Sequence, residues 1–188
     1  ARAQWTSPPC RPEPMLATST SDPVLHPEHA AEPKWDGYRA LLGRWPGDRV
    51  LIRSRRGGNL TAAFPEIVAA ASQLPDDTAL DGELVVWESG RLSFERLQQR
   101  AHRRAATAVR AAEQWPAHFV VFDLLQAGAD LTAQPYRARR AALEQLFADY
   151  RLQAPWTLCP STTDPKQATE WLEWSAVVVK SNETFMSL

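Results

Sequence analysis

Cysteine is nearly absent from these 188 residues: Cys10 and Cys159 are the only two, and they lie far apart. That argues against a disulfide framework or a cysteine-rich zinc site and suits a reducing, cytoplasmic compartment. Excess charge is absent too, since 21 basic and 22 acidic side chains leave a net charge of −1. No global field draws in nucleic acid, so any such attraction has to come from a local cluster. No apolar run approaches the roughly 20 residues of a membrane span. The N-terminal Ala-Arg-Ala-Gln-Trp-Thr-Ser-Pro-Pro lacks the apolar stretch of a secretory signal. There is no initiator Met, which reads as processing or as a fragment, and there is no internal repeat.

Proline and tryptophan are plentiful. Residues 1–33 carry Pro8, Pro9, Pro12, Pro14, Pro23, Pro27 and Pro33. Proline fixes φ and donates no hydrogen bond, so this stretch reads as an extended lead-in rather than regular structure. Only Met15, Leu16, Val24 and Leu25 look able to dock on a core. The eight tryptophans serve as packing anchors or as base-stacking platforms.

From Lys34 onward the pattern predicts strands over 35–42 and 49–53, joined by a turn at Pro46-Gly47-Asp48. A loop of arginines and glycines follows over 54–59. Phe64-Pro65-Glu66 opens a short helix to residue 71, with Glu66 favourable to the helix dipole. A strand over 78–87 is interrupted at Asp81-Gly82. Ser93 caps one long helix to about Trp115. On that helix Leu97, Ala101, Ala105, Ala108, Val109 and Ala112 share one face. Arg96, Arg100, Arg103, Arg104 and Arg110 share the other. Residues 118–125 form a buried strand. Pro135 precedes a helix with Leu143, Leu146, Phe147 and Tyr150 toward the core. Asp164-Pro165 starts a last helix through Trp174, and 177–180 form a final strand. Strands and helices without strict βαβ alternation point to an α+β fold.

The chemistry gathers at Glu32-Pro33-Lys34-Trp35-Asp36-Gly37-Tyr38-Arg39. A lysine is nucleophilic only as the free amine, and its ordinary pKa is about 10.4. Neighbouring cations or burial lower it. Arg39 falls where its guanidinium reaches a phosphate held near Lys34, and Gly37 permits a backbone turn. By themselves these residues also fit a surface lysine before a turn. Phe122 fits plain core, Glu83 an exposed turn acid, and Arg55 and Arg56 a solvated loop. The helix over 93–115 invites a similar choice. Residues 91–110 hold six arginines against one acid, Glu95, which suits either a solvated face or a DNA-backbone contact, since arginine forks phosphate oxygens well. His102 has no second His or Cys nearby, which argues against a metal role.

Four ordered segments, EPKWDGYRA, RSRRGGNLTAAFPEI, LDGELVVW and HFVVFDLL, resemble motifs I, Ia, III and IIIa of the ATP-dependent DNA ligases. PMLA before them and PYRARRAALEQL after them resemble the bacterial repair-type members. The resemblance runs from about Pro14 to Lys180. It implies an α+β nucleotidyltransferase (ATP-grasp-like) domain of two twisted, mainly antiparallel sheets flanked by helices. Its boundaries would be a Pro-rich lead-in over 1–31 and an adenylation domain over 32–188, truncated after motif IV.

The resemblance also implies roles. Lys34 would attack the α-phosphate of ATP and hold AMP. Glu32 would face the adenine amine, Phe122 would stack on the ring, and Arg39 and Lys180 would hold phosphate. Arg55 would contact the nucleotide or a 5′-phosphate. Glu83 would touch the ribose or a Mg²⁺ ion. Nicked double-stranded DNA would be the partner of a monomer off the membrane, and Arg96, Arg100, Arg103 and Arg104, singled out by their charge rather than by the resemblance, are the candidates to meet its backbone. Two features depart from the pattern. The family's motif IV Glu-Gly is missing, and Ser175-Ala176 stand in its place before Val177-Val178-Val179-Lys180, either as a substitution or through a short deletion. The family's next lysine motif and its OB-fold domain are absent from these residues, which reads as a fragment or a truncated gene. The alternatives are a catalytically defective module that binds ATP or DNA ends, an RNA ligase, or a capping-type nucleotidyltransferase.

Overall fold

Two eleven-residue strands, β4 (Thr78–Glu88) and β6 (Ala117–Ala127), pair antiparallel and form the centre of the molecule. Both are buried along nearly their whole length. This explains the apolar runs Leu84-Val85-Val86 and Phe119-Val120-Val121-Phe122, while the acids that the strands bury, Asp81 and Asp123, are each forked by an arginine. The computed structural model describes residues 24–183. Cys10, Met15, Leu16 and the PMLA stretch lie outside the described residues.

Around this centre the strand order is β3-β2-β4-β6-β7, with β2 at Tyr38–Trp45, β3 at Arg49–Ser54 and β7 at Ala129–Asp130. Short β5 (Arg91–Leu92) pairs with β4. β8 (Trp156–Leu158) joins β6 in the one parallel pairing among the described strands. A second, two-stranded sheet pairs β1 (His29–Pro33) antiparallel with β9 (Val177–Ser181). The architecture is therefore mixed α+β with two mostly antiparallel sheets, as expected. The interruption foreseen at Asp81-Gly82 appears as shifts in the β4–β6 register at Ala79/Leu80 and Asp81/Gly82, within an unbroken strand.

Helices α1 (Pro65–Ala70), α2 (Phe94–Ala101) and α4 (Tyr136–Asp149) bury Ile67, Leu97, Leu143 and Leu146 against Leu42, Leu80, Leu84, Phe119 and Val121 of the sheet. α5 (Pro165–Leu172) covers the small sheet, where Ala168 packs with Leu25, Ala31 and Val177. Side chains alternate along a strand. Val85, Val120 and Phe122 consequently gather in a separate cluster with Cys159, Trp35 and Leu92. Among the described residues no helix is long and apolar enough to cross a membrane.

Several expectations need correction. The lead-in was read as lacking regular structure through Pro33, yet it ends in β1, and the boundary drawn between 31 and 32 falls inside that strand. The last helix stops at Leu172 rather than Trp174. Tyr150 lies just past the end of α4 and is 48% exposed, while Tyr136 and Arg139 are buried instead.

The predicted helix over 93–115 is two helices. Ser93 caps α2 as expected, but Arg104 is extended, Ala105 has φ +47°, and α3 runs over Ala105–Gln114. No Gly or Pro marks this break. The two halves have different partners, α2 lying on β4 and α3 on α1, so tertiary packing turns the chain where propensity would have continued it. The apolar face shifts phase accordingly. Ala108 and Ala111 are buried and Val109 is exposed.

Arg100 was placed on the exposed arginine face and is fully buried. Its guanidinium forks the Glu66 carboxylate and donates to the carbonyls of Trp115 (2.7 Å) and Ala63 (3.1 Å). Glu66 also accepts from the Ala117 N–H at 2.8 Å. One arginine thereby ties α2 to α1, the end of α3 and the start of β6, and it is not a DNA contact. Removing one member of a buried ion pair leaves the other charge without its partner. Arg100→Met is expected to lower unfolding free energy in urea by about 3–5 kcal/mol. Exposed Arg110→Ala should shift it by less than about 0.5 kcal/mol.

Candidate functional site

Lys34 lies on the short link between Pro33, the end of β1, and Tyr38, the start of β2, where the two sheets meet. Its backbone is held on both sides. The N–H donates to the Ala176 carbonyl at 2.7 Å, and the carbonyl accepts from the Ser175 hydroxyl at 3.1 Å. Its ammonium pairs with Asp36 Oδ1 at 3.1 Å, and the side chain is 55% exposed. The amine therefore stands at the rim rather than in the interior.

Gly37 was expected to permit a turn, but close approach of two backbones explains it better. A Cβ there would sit 2.2 Å from the Leu84 carbonyl oxygen. This proximity lets the Gly37 N–H donate to Glu83 Oε1 at 3.1 Å. Burial pushes the Glu83 carboxyl up to about 7, against the pull of that hydrogen bond and of the Arg39 and Lys34 charges. Glu83 is thus partly buried beside Lys34 rather than an exposed turn acid.

Arg39 and Glu83 are paired in the β2–β4 register. The Arg39 guanidinium forks Asp81, with Nε at 3.1 Å and Nη2 at 2.7 Å. It also lies 5.0 Å from the Phe122 ring centroid. On the same ring, Lys180 Nζ lies 4.7 Å from the centroid. Lys180 in turn pairs with Glu32 Oε2 at 2.7 Å. Glu32 is almost wholly buried. Its Oε1 accepts a hydrogen bond from the Tyr136 hydroxyl, and Arg140 Nη1 lies 3.9 Å away. Burial and the charge on Glu32 hold the Tyr136 phenol well above its ordinary value, which keeps it a neutral donor. Burial, then Glu32, push the nearby Cys159 thiol up to about 12.

The contacts therefore join Arg39, Phe122, Lys180 and Glu32 in one chain, while Glu83 is tied to the Gly37 backbone in the same short link that carries Lys34. Among the described residues Arg55 is attached through its backbone. Its N–H donates to the Arg39 carbonyl at 3.1 Å, and the residue is exposed. Of the expected DNA-facing arginines, Arg96 is engaged with Glu88 at 2.8 Å and lies 4.4 Å from the Trp115 ring. Arg103 is half-buried and Arg104 exposed.

A Mg²⁺ held by protein side chains alone, without substrate phosphates, fits this donor set poorly. A hard divalent cation takes several oxygen ligands. Among the described residues no three His, Cys, Asp or Glu side chains cluster to supply them. Glu83 is hydrogen-bonded to Gly37, Asp81 is committed to Arg39, and a serine hydroxyl stands beside the Lys34 carbonyl.

Sequence reasoning missed Tyr136 and Asp81 as parts of this assembly. Tyr136 carried a usable signal, because it shares the helical stripe of Arg139, Leu143 and Leu146, all of them buried. Asp81 carried none beyond its place in a strand.

Comparison with known proteins bears on this site. Residues 14–183 match the family model described as ATP dependent DNA ligase domain. DNA ligase C2 of Mycolicibacterium smegmatis is 44% identical over 160 residues, spanning 84% of this chain and 44% of that protein. DNA ligase C of Mycobacterium tuberculosis is 39% identical over 162 residues, again 84% of this chain and 44% of that protein. Among solved structures, mycobacterial DNA ligase D complexed with ATP and MES superposes with a TM-score of 0.73 at 32% identity. That match covers 93% of this chain and 55% of the other. The chain thus spans about half the length, or less, of these relatives.

Leu84 contributes backbone at Gly37 and cannot step aside as a side chain would. Gly37→Ala is expected to cost about 1–3 kcal/mol of stability in urea unfolding, in the range of overpacking.

Proposed function

Because the chain belongs to the ATP-dependent DNA ligase domain family, we propose that it carries the adenylation step of nick sealing. Lys34 Nζ, once it has lost its proton, attacks the α-phosphorus of ATP. An N–P bond forms, the P–O bond to pyrophosphate breaks, and AMP stays on the lysine. In the intact enzyme AMP then passes to the 5′-phosphate of nicked double-stranded DNA, and the 3′-hydroxyl displaces it. DNA repair or recombination in the cytoplasm is the setting that fits this activity.

The observation that carries the proposal is convergence. Glu32, Phe122 and Lys180 are distant in sequence yet touch one another in a chain beside the lysine. In the proposed complex the purine lies between the small sheet and the face of the large sheet that bears Phe122. Glu32 receives its amine, Phe122 supplies the flat apolar surface, and Lys180 turns from Glu32 toward phosphate. Arg39 contributes positive charge while held by Asp81, and Arg55 reaches from its loop toward phosphate. Such clamps stabilise charge spread over a transferring phosphoryl group. Glu83 faces the ribose. No step is assigned to a protein-bound Mg²⁺. The DNA-contact proposal narrows to Arg103 and Arg104, because Arg100 is fully buried against Glu66 and Arg96 is paired with Glu88, whereas Arg104 is exposed and meets only the local carbonyls of Ala101 and Arg103 among the described residues.

A second reading rests on Ser175, which brings no negative charge to the position where the family has its motif IV acid. In that reading the chain binds ATP without reacting. One experiment separates the two. Incubated with ATP and Mg²⁺, the chain is expected to gain one AMP in an intact mass spectrum, and Lys34→Ala to gain none. ATP binding without an adduct would favour the second reading, and an adduct that persists in Lys34→Ala would remove Lys34 from the mechanism.

A further inference from the structure

The Glu32 carboxylate has two kinds of partner, and they differ in how firmly they are placed. Lys180 donates to Oε2 from the end of a long flexible side chain. It also lies 4.7 Å from the Phe122 ring centroid, between the acid and the ring that the proposed function assigns to the purine. An incoming amine competes with this ammonium for the same oxygen. Tyr136 donates to the other oxygen, Oε1, and has no such freedom. It is the first residue of α4 and is 1% exposed. Its ring lies 4.9 Å from Lys180 Nζ. Its oxygen lies 3.4 Å from the Ser161 hydroxyl, which donates to it while the phenol proton points to Glu32. The remaining neighbour, Arg140, is 3.9 Å from Oε1 and is committed to Glu144 at 2.7 Å and the Cys159 carbonyl at 2.9 Å.

We propose that Tyr136 is a specificity-positioning residue. Its hydroxyl holds one oxygen of Glu32 so that the other is aimed at the 6-amino group of an adenine nucleotide. A carboxylate fixed in this way accepts from a 6-amino purine and repels the 6-oxo group of guanine. Freed from Tyr136, the carboxylate rotates and its acceptor direction blurs. A site built around a hydrogen bond discriminates strongly only while its polar group stays where the partner expects it. The inference rests on the reading of Glu32 as the adenine-facing acid.

The test is calorimetric binding of ATP and of purine riboside triphosphate, which lacks the 6-amino group, to the 188-residue chain and its variants. Wild type is expected to prefer ATP, and Glu32→Gln to lose much of that preference. Tyr136→Phe, which removes only the hydroxyl, should weaken ATP binding about tenfold or more, as expected when a hydrogen bond to a charged group is lost. Its affinity for the analogue should barely move. In the Glu32→Gln background, Tyr136→Phe should add no further loss of preference, the mark of two residues acting as a unit.

The outcomes separate the two claims. Equal loss for both nucleotides, or failure of Tyr136→Phe to fold, assigns the tyrosine to the fold alone and overturns the inference. Loss of preference in Glu32→Gln but not in Tyr136→Phe overturns the inference and leaves the Glu32 reading standing. No preference in wild type overturns both.

Discussion

The antiparallel pairing of β1 with β9 is the constraint on which the site depends. Five residue pairs zip the segment before Lys34 to the segment around Lys180, with Ala30 opposite Lys180 and Glu32 opposite Val178. The next hydrogen bond beyond the ladder runs from Lys34 to Ala176. A one-residue slip would flip every side chain to the other face and part Lys180 from Glu32. The ladder therefore decides which cation meets the buried acid, and it presents the lysine at the edge where the two sheets join.

Buried charge is handled consistently around this constraint. Arg39 forks Asp81, Arg100 forks Glu66 and Arg139 forks Asp123, the last at 2.9 and 2.8 Å. Taking such groups out of water is costly, and an ion pair offsets that cost only when its remaining hydrogen bonds are also met. Here backbone carbonyls take further donors, those of Ala63 and Trp115 for Arg100 and that of Gln134 for Arg139, although Arg100 Nε is left without a partner among the described residues. Two of the pairs brace the helix side of the sheet. The third, Arg39–Asp81, borders the site and holds a cation against the Phe122 ring.

The site itself was partly legible. Lys34, Glu32, Arg39, Glu83, Phe122 and Lys180 stand in short segments whose resemblance to a family had already marked them, and contacts join Glu32, Lys180, Phe122 and Arg39 while Glu83 bonds the Gly37 backbone near Lys34. The arginine face was misjudged because a helical wheel assumes one axis. Arg100 stands one turn after Leu97 and beside Ala101, so it shares their buried face within α2, and the turn at Arg104 resets the phase for the residues beyond it. The reason for Gly37 was misjudged because the missing Cβ answers to Leu84, far away in sequence.

Sequence alone determined what is periodic or capped: the long apolar strands, the Ser93 and Asp164 helix starts, and the ordered motifs. These depend on residues within a few positions of one another, where backbone geometry sets the rules. Tertiary structure alone decided which charges are buried together, that a helix without a breaker residue divides, and that Tyr136 reaches Glu32 across 104 positions. Such contacts depend on how elements dock in space, and side-chain chemistry read along the chain carries no distance.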